Sequence, residues 1–188
     1  VSMFTRFTPP ARRAVVRAGL LAMDAGHTAL DDRAILLALA ELRPFQEPLD
    51  AFGVTAAAVR AALAGEAGRP RDADLLAGLG IDLAEVRRRM SGLVSVDDPA
   101  RWRLTRARLR PLRVVLSGPA ADLPLTPKAR KVVEVALHRS GSTGRVTGED
   151  LLRGLLADGS NPSVRIMRRD GADLGRLAAA LGFARRAA

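Results

Sequence analysis

The sequence predicts an all-α protein built as two pseudo-symmetric four-helix repeats with a helical insertion between them. Three observations carry that prediction. A short phrase is written twice, as Arg6-Phe7-Thr8-Pro9-Pro10-Ala11-Arg12-Arg13-Ala14-Val15-Val16 and as Leu125-Thr126-Pro127-Lys128-Ala129-Arg130-Lys131-Val132-Val133. Internal repetition of this kind sets the architecture before any single element is assigned. Apolar residues then recur with a 3.6-residue period behind each copy. Finally, 48 % of the chain is hydrophobic but only 3 % is aromatic, with no tyrosine, which suits aliphatic packing between helices.

The first helix is expected over 9–25. Thr8 stands at the N-cap, where its hydroxyl oxygen accepts an orphan backbone N–H, and proline follows, where a missing N–H costs nothing. Ala14, Val15, Ala18, Leu21, Ala22 and Ala25 form its apolar side. Gly26 supplies the left-handed residue that stops it, and His27 is read as a loop hydrogen-bonder. Asp31 and Asp32 form an N-cap pair for a second, largely buried helix near 32–42, which Pro44 ends. A short helix at 45–52 stops at Gly53, and Thr55 caps a fourth at 56–64.

The insertion and linker cover 65–122. Gly65 to Arg71 reads as a loop, and 75–90 as an extra helical hairpin, with Gly80 ending one helix and Asp82 capping the next. Trp102 then sits among Arg101, Arg103, Arg106, Arg108, Arg110 and Arg113. This stretch reads as a solvated linker with one anchoring tryptophan; the sharper alternative is a stacking platform for nucleic acid. Val114-Val115-Leu116 reads as extended, and Ser117-Gly118-Pro119 breaks any helix there. In the second repeat, 123–188, helices are expected near 127–139, 148–157, 162–169 and 173–181, with a frayed tail from Arg185.

Composition excludes several classes. At 188 residues the chain can bury a real core. With no cysteine there is no disulfide framework, thiolate metal site or cysteine nucleophile, which leaves the cytoplasm unopposed. No apolar run reaches the ~18 residues of a membrane span, and no leader precedes the first motif. The net charge of +10 is carried almost wholly by arginine, Lys128 and Lys131 being the only lysines. No phosphate-binding G-x-x-x-x-G-K-[ST] loop, G-x-S-x-G elbow or metal-ligand cluster occurs, so no catalytic constellation and no cofactor are expected.

The doubled R-F-T-P-x-A-R-type opening, Gly26-His27, the run Gly148-Glu149-Asp150-Leu151-Leu152-Arg153-Gly154-Leu155 and the closing Gly-to-helix phrases at Gly53 and Gly171 resemble the Clp repeat. This is the double-repeat N-terminal domain of ClpA/ClpC-type AAA+ unfoldases. The resemblance covers about residues 3–64 and 123–182, and the short tail points to a free-standing domain without ATPase modules.

That resemblance implies a non-enzymatic, cytoplasmic chaperone-associated module that binds proteins or peptides and regulates a Clp unfoldase–protease. Its partners would be Clp components, adaptors, substrates or arginine-phosphorylated proteins. As an unattached copy it would also sequester ligands of such domains, cyclic peptides included. Domains of the ClpC type carry two phosphoarginine sites, each built on a threonine and a glutamate. Carried over, Thr126 and Glu149 make the second site. Thr8 matches the threonine of the first, where Arg33 stands in place of the glutamate and Asp31 or Asp32 would partly compensate. Helix N-termini at both threonines would offer free N–H groups to phosphate. The alternative function is a basic nucleic-acid-binding protein using the Arg-rich 101–113 segment, with nucleic acid disfavoured as a partner under the leading reading.

Overall fold

The computed structural model describes residues 2–65, 98–107, 113–119, 121–141 and 144–182. Four helices come first: α1 (Pro9–Asp24), α2 (Asp32–Glu41), α3 (Gln46–Asp50) and α4 (Ala56–Gly65). Four close the chain: α5 (Pro127–Arg139), α6 (Gly148–Leu156), α7 (Pro162–Arg169) and α8 (Leu174–Ala180). Their starts are chemically marked. Thr8, Asp31, Thr126, Thr147 and Asp173 each accept a backbone N–H of the following turn, a contact worth about 1 kcal/mol per helix. Thr147 goes further, since Asp150 returns a bond to its backbone N–H at 2.9 Å and closes a reciprocal cap. Gly26 and Gly141 end α1 and α5 with φ of 74° and 67°, the left-handed conformation that a Cβ would strain.

The all-α framework carries one addition. Between the two runs of helices lies a three-stranded antiparallel sheet, β1 (Arg103–Arg106), β2 (Val114–Ser117) and β3 (Asp122–Pro124). The extended reading of Val114–Leu116 holds. The reading of the arginine-rich stretch as a solvated linker is corrected for its first part, because Arg103–Arg106 is strand β1, entered through a 3-10 turn at Pro99–Arg101; its residues 108–112 lie outside the described residues. Alternation explains how so basic a stretch becomes a strand: Trp102 and Leu104 are fully buried, while Arg101 and Arg103 are exposed. Leu104, Leu116 and Leu123 pair across the three strands and face the core. Gly118 lets the backbone close over the tryptophan, since a Cβ there would lie 2.2 Å from the ring. The helical hairpin expected at 75–90 lies outside the described residues.

The core is one aliphatic cluster running through both ends of the chain, from Val15, Ile35 and Leu39 to Val132, Leu151 and Leu155. Two isolated parallel bridges interlock the helical runs: Phe7 pairs with Val146, and Leu30 with Leu125. Each joins the lead-in of one run's first helix to the lead-in of the other run's second helix. A third tie is buried Asp32, whose Oδ2 accepts the Ser163 N–H in the first turn of α7 at 2.9 Å. Asp31 alone therefore caps α2, and Asp32 serves the far half of the chain.

Candidate functional site

α1 and α2 pack antiparallel. Arg17, midway along α1, pairs at 2.8 Å with Glu41 at the end of α2, so the start of α2 lies toward the far end of α1. The same holds for α5 and α6. Gly154 sits against the Val132 carbonyl, and Lys128 reaches Asp158 and Ser160 just past the end of α6. An α5 of 13 residues separates its two ends by about 20 Å. Thr126 and Glu149 therefore stand at opposite ends of one helical pair, as do Thr8 and Arg33.

The backbone bonds bring the four candidate residues together in the other combination. The Thr8 N–H donates to the Val146 carbonyl at 2.9 Å, and the Val146 N–H to the Arg6 carbonyl at 2.7 Å. Glu149 follows three positions after Val146, in the first turn of α6. In the other corner, the Thr126 N–H donates to Leu30 at 2.9 Å and the Leu30 N–H to Pro124 at 2.9 Å. Arg33 follows three positions after Leu30. The pairing of Thr126 with Glu149, and of Thr8 with Arg33, is thus corrected. Thr8 shares a corner with Glu149, and Thr126 shares one with Arg33.

The two corners differ in what they offer. At the Thr8 corner, the first two positions of α1 are Pro9 and Pro10, which have no N–H. The third N–H, of Ala11, is taken by the Thr8 hydroxyl at 3.4 Å, and that hydroxyl donates to Val146 at 3.1 Å. The expected row of free N–H groups at α1 is therefore absent. α6 enters the same corner with Gly148 and Glu149 at its first positions, whose N–H groups have no intrahelical acceptor. The Glu149 side chain is 64 % exposed, and its contact with Arg153 is a loose 3.5 Å. Arg153 instead holds Asp150 at 2.8 Å and the Leu181 carbonyl at 2.7 Å. Phe45 packs its ring over Gly148, where any Cβ would lie 2.1 Å from it.

At the Thr126 corner, only Pro127 lacks the N–H, and Lys128 retains one. Arg33 is not an open cation, because Asp31 pairs with it at 2.6 Å. Asp32 offers no compensation, being buried against α7. Both lysines of the chain converge on Asp158, at 3.0 and 3.1 Å. Hydrogen bonds from Ser160, followed by Lys128 and Lys131, hold the Asp158 carboxyl well below the usual carboxylate range.

Trp102 has no exposed face for a base, which corrects the stacking-platform alternative and leaves the anchoring role. Among the described residues no cluster of three or more His, Asp and Glu could hold a metal ion, and no helix is long and apolar enough to cross a membrane. What sequence reasoning missed is the crosswise exchange. Its one sequence signal was the β-like residue before each cap, Phe7, Leu30, Leu125 and Val146.

Among solved structures, the chain is similar to the N-terminal domain of the caseinolytic protease associated chaperone ClpD from Arabidopsis thaliana. The match has a TM-score of 0.58, covers 95 % of this chain and 96 % of that one, and shows 21 % sequence identity. The fold is that of a Clp N-terminal domain. No protein-family model matches the sequence, and no curated protein matches it. The likeness lies in the backbone: the Clp N-domain framework is present over nearly the whole chain, while its side chains are largely this chain's own.

Proposed function

We propose that this chain is a non-enzymatic protein- and peptide-binding module that works with a Clp unfoldase–protease. It would take up adaptors, substrates or arginine-phosphorylated segments, or sequester ligands of other Clp N-domains. The Clp N-domain fold supports the general role. The Thr8–Val146 bond carries the finer one, because it brings Glu149 to a helix-start corner. There Glu149 takes the guanidinium of a phosphoarginine as a charge-assisted pair, and the α6 N–H groups of Gly148 and Glu149 take its phosphate. The carboxylate at the Thr126 corner, Asp31, is already engaged by Arg33 and the Ala34 N–H, so this chain reads phosphoarginine at one corner.

Calorimetric titration with phosphoarginine tests the proposal. The expected result is one site, lost in Glu149→Gln, with a second site gained in Arg33→Glu. Absence of binding, or binding indifferent to Glu149→Gln, would sink the phosphoarginine reading.

A further inference from the structure

We infer that the corner where the 3-10 turn and β1 lie against α1 is a docking surface for an acidic protein segment. Arg12 is its fixed point. The Arg12 guanidinium lies 5.2 Å from the centre of the Phe4 ring and donates from Nη2 to the Trp102 carbonyl at 3.2 Å. Its Nε is buried without a hydrogen-bond partner among the described residues. Aromatic and carbonyl contacts thus hold the cation in place, and among the described residues no carboxylate balances it.

Two more arginines flank its contact, and a third neighbours it in sequence. Arg13 is the next residue of α1 and is exposed; Arg101 and Arg103 flank the very carbonyl that Arg12 touches, and both are exposed. The strand dictates that arrangement, because buried Trp102 and Leu104 on one face turn Arg101 and Arg103 to the other. Among the described residues none of these four has a carboxylate partner. Several arginines elsewhere do: Arg17 and Arg60 share Glu41, Arg33 has Asp31, Arg106 has Glu134 and Arg153 has Asp150. What distinguishes the four is that the fixed Arg12 touches the carbonyl between two of the others.

Among the described residues, two neighbouring acids offset part of the patch's charge and leave it net positive. Asp98 turns its carboxylate to the Ala100 N–H at 2.8 Å. Asp122 lies two strands from Arg103, through Ser117, a separation of about 10 Å that is close to one screening length at physiological salt.

Guanidinium forks match carboxylates bidentately. With Trp102 buried, the patch has no aromatic face of the kind that holds single-stranded nucleic acid. Carboxylate side chains on an extended segment complement these cations. Such contact raises the association rate and gives salt-sensitive affinity. The surface uses neither Thr8 nor Glu149, so it stands apart from the phosphoarginine reading.

Fluorescence anisotropy of the full chain tests the inference, with labelled decaglutamate, a neutral Gly/Ser peptide and an oligothymidylate of matched charge. The expected result is decaglutamate binding that weakens toward about 0.15 M salt and falls about tenfold in Arg101→Glu/Arg103→Glu, with no binding of the neutral peptide. Arg13→Glu, on a different element, is expected to weaken binding as well and serves if the double variant fails to melt like wild type. No decaglutamate binding at low salt, equal affinity in the folded variants, or tighter binding of the oligothymidylate would each overturn it.

Discussion

Replacing Asp32 with alanine should loosen the join between the two helical runs by about 2–4 kcal/mol, and the magnitude follows from one contact. Asp32 is 2 % exposed, and its carboxylate accepts the N–H of Ser163, itself fully buried, at 2.9 Å. That N–H belongs to the first turn of α7 and has no acceptor within its helix. Removing a charged acceptor from a buried donor costs about 1.5–3 kcal/mol. Losing a negative charge at a helix N-terminus adds about 0.3–1 kcal/mol. Asp32→Asn keeps an oxygen within reach and loses only the charge, so about 1 kcal/mol is expected. Ser163→Ala is the internal control. The Ser163 hydroxyl is buried without a partner among the described residues, so its removal is expected to be neutral or slightly stabilising. Urea titrations read all three as midpoint shifts at constant slope. If Asp32→Ala lay within about 0.5 kcal/mol of wild type, or if Ser163→Ala cost as much, the backbone tie would not be what joins α2 to α7.

Two further outcomes follow from single contacts. The Asp158 carboxyl is held below its ordinary range by Ser160 and then by Lys128 and Lys131. A lowered folded-state value means its stabilisation is complete above the unfolded value near pH 4 and is lost as pH falls. The melting-temperature difference between wild type and Asp158→Asn should therefore be level at neutral pH and shrink in acid; a difference that grows in acid would refute the assignment. At the α5–α6 contact, a Cβ on Gly154 would lie 2.4 Å from the Val132 carbonyl oxygen, which is backbone and has little room to shift. Gly154→Ala should cost about 1–3 kcal/mol in the same urea assay, despite the better helix propensity of alanine.

The helices were legible because their starts are written in side chains. Thr8, Asp31 and Thr126 each precede an apolar period, and each caps a helix where the sequence places it. The sheet was less legible. Its strands are three or four residues long, too short for a period to rise above arginine-rich composition. Yet the alternation of Arg101, Trp102, Arg103 and Leu104 was present and carried the information. Asp32 was harder still. A carboxylate beside an N-cap has a sufficient local role in the macrodipole, and only the fold reveals a donor 131 residues away.

The crosswise pairing at the candidate corners has a geometric origin that tandem reading obscures. Two antiparallel helices joined by a short loop place their own starts at opposite ends, so a threonine cap on the first cannot meet a residue in the first turn of the second. A helix of 16 residues such as α1 puts about 24 Å between those positions. The other run's second helix can reach the cap, provided its lead-in residue pairs with the lead-in of the first. Phe7 with Val146 and Leu30 with Leu125 do this. Each corner is consequently built from both halves of the chain. Arg33 stands at the Thr126 corner although it sits in the first half, and Glu149 at the Thr8 corner although it sits in the second. A contact that holds the halves in register, as Asp32 does at α7, therefore acts on both corners without touching the residues of either.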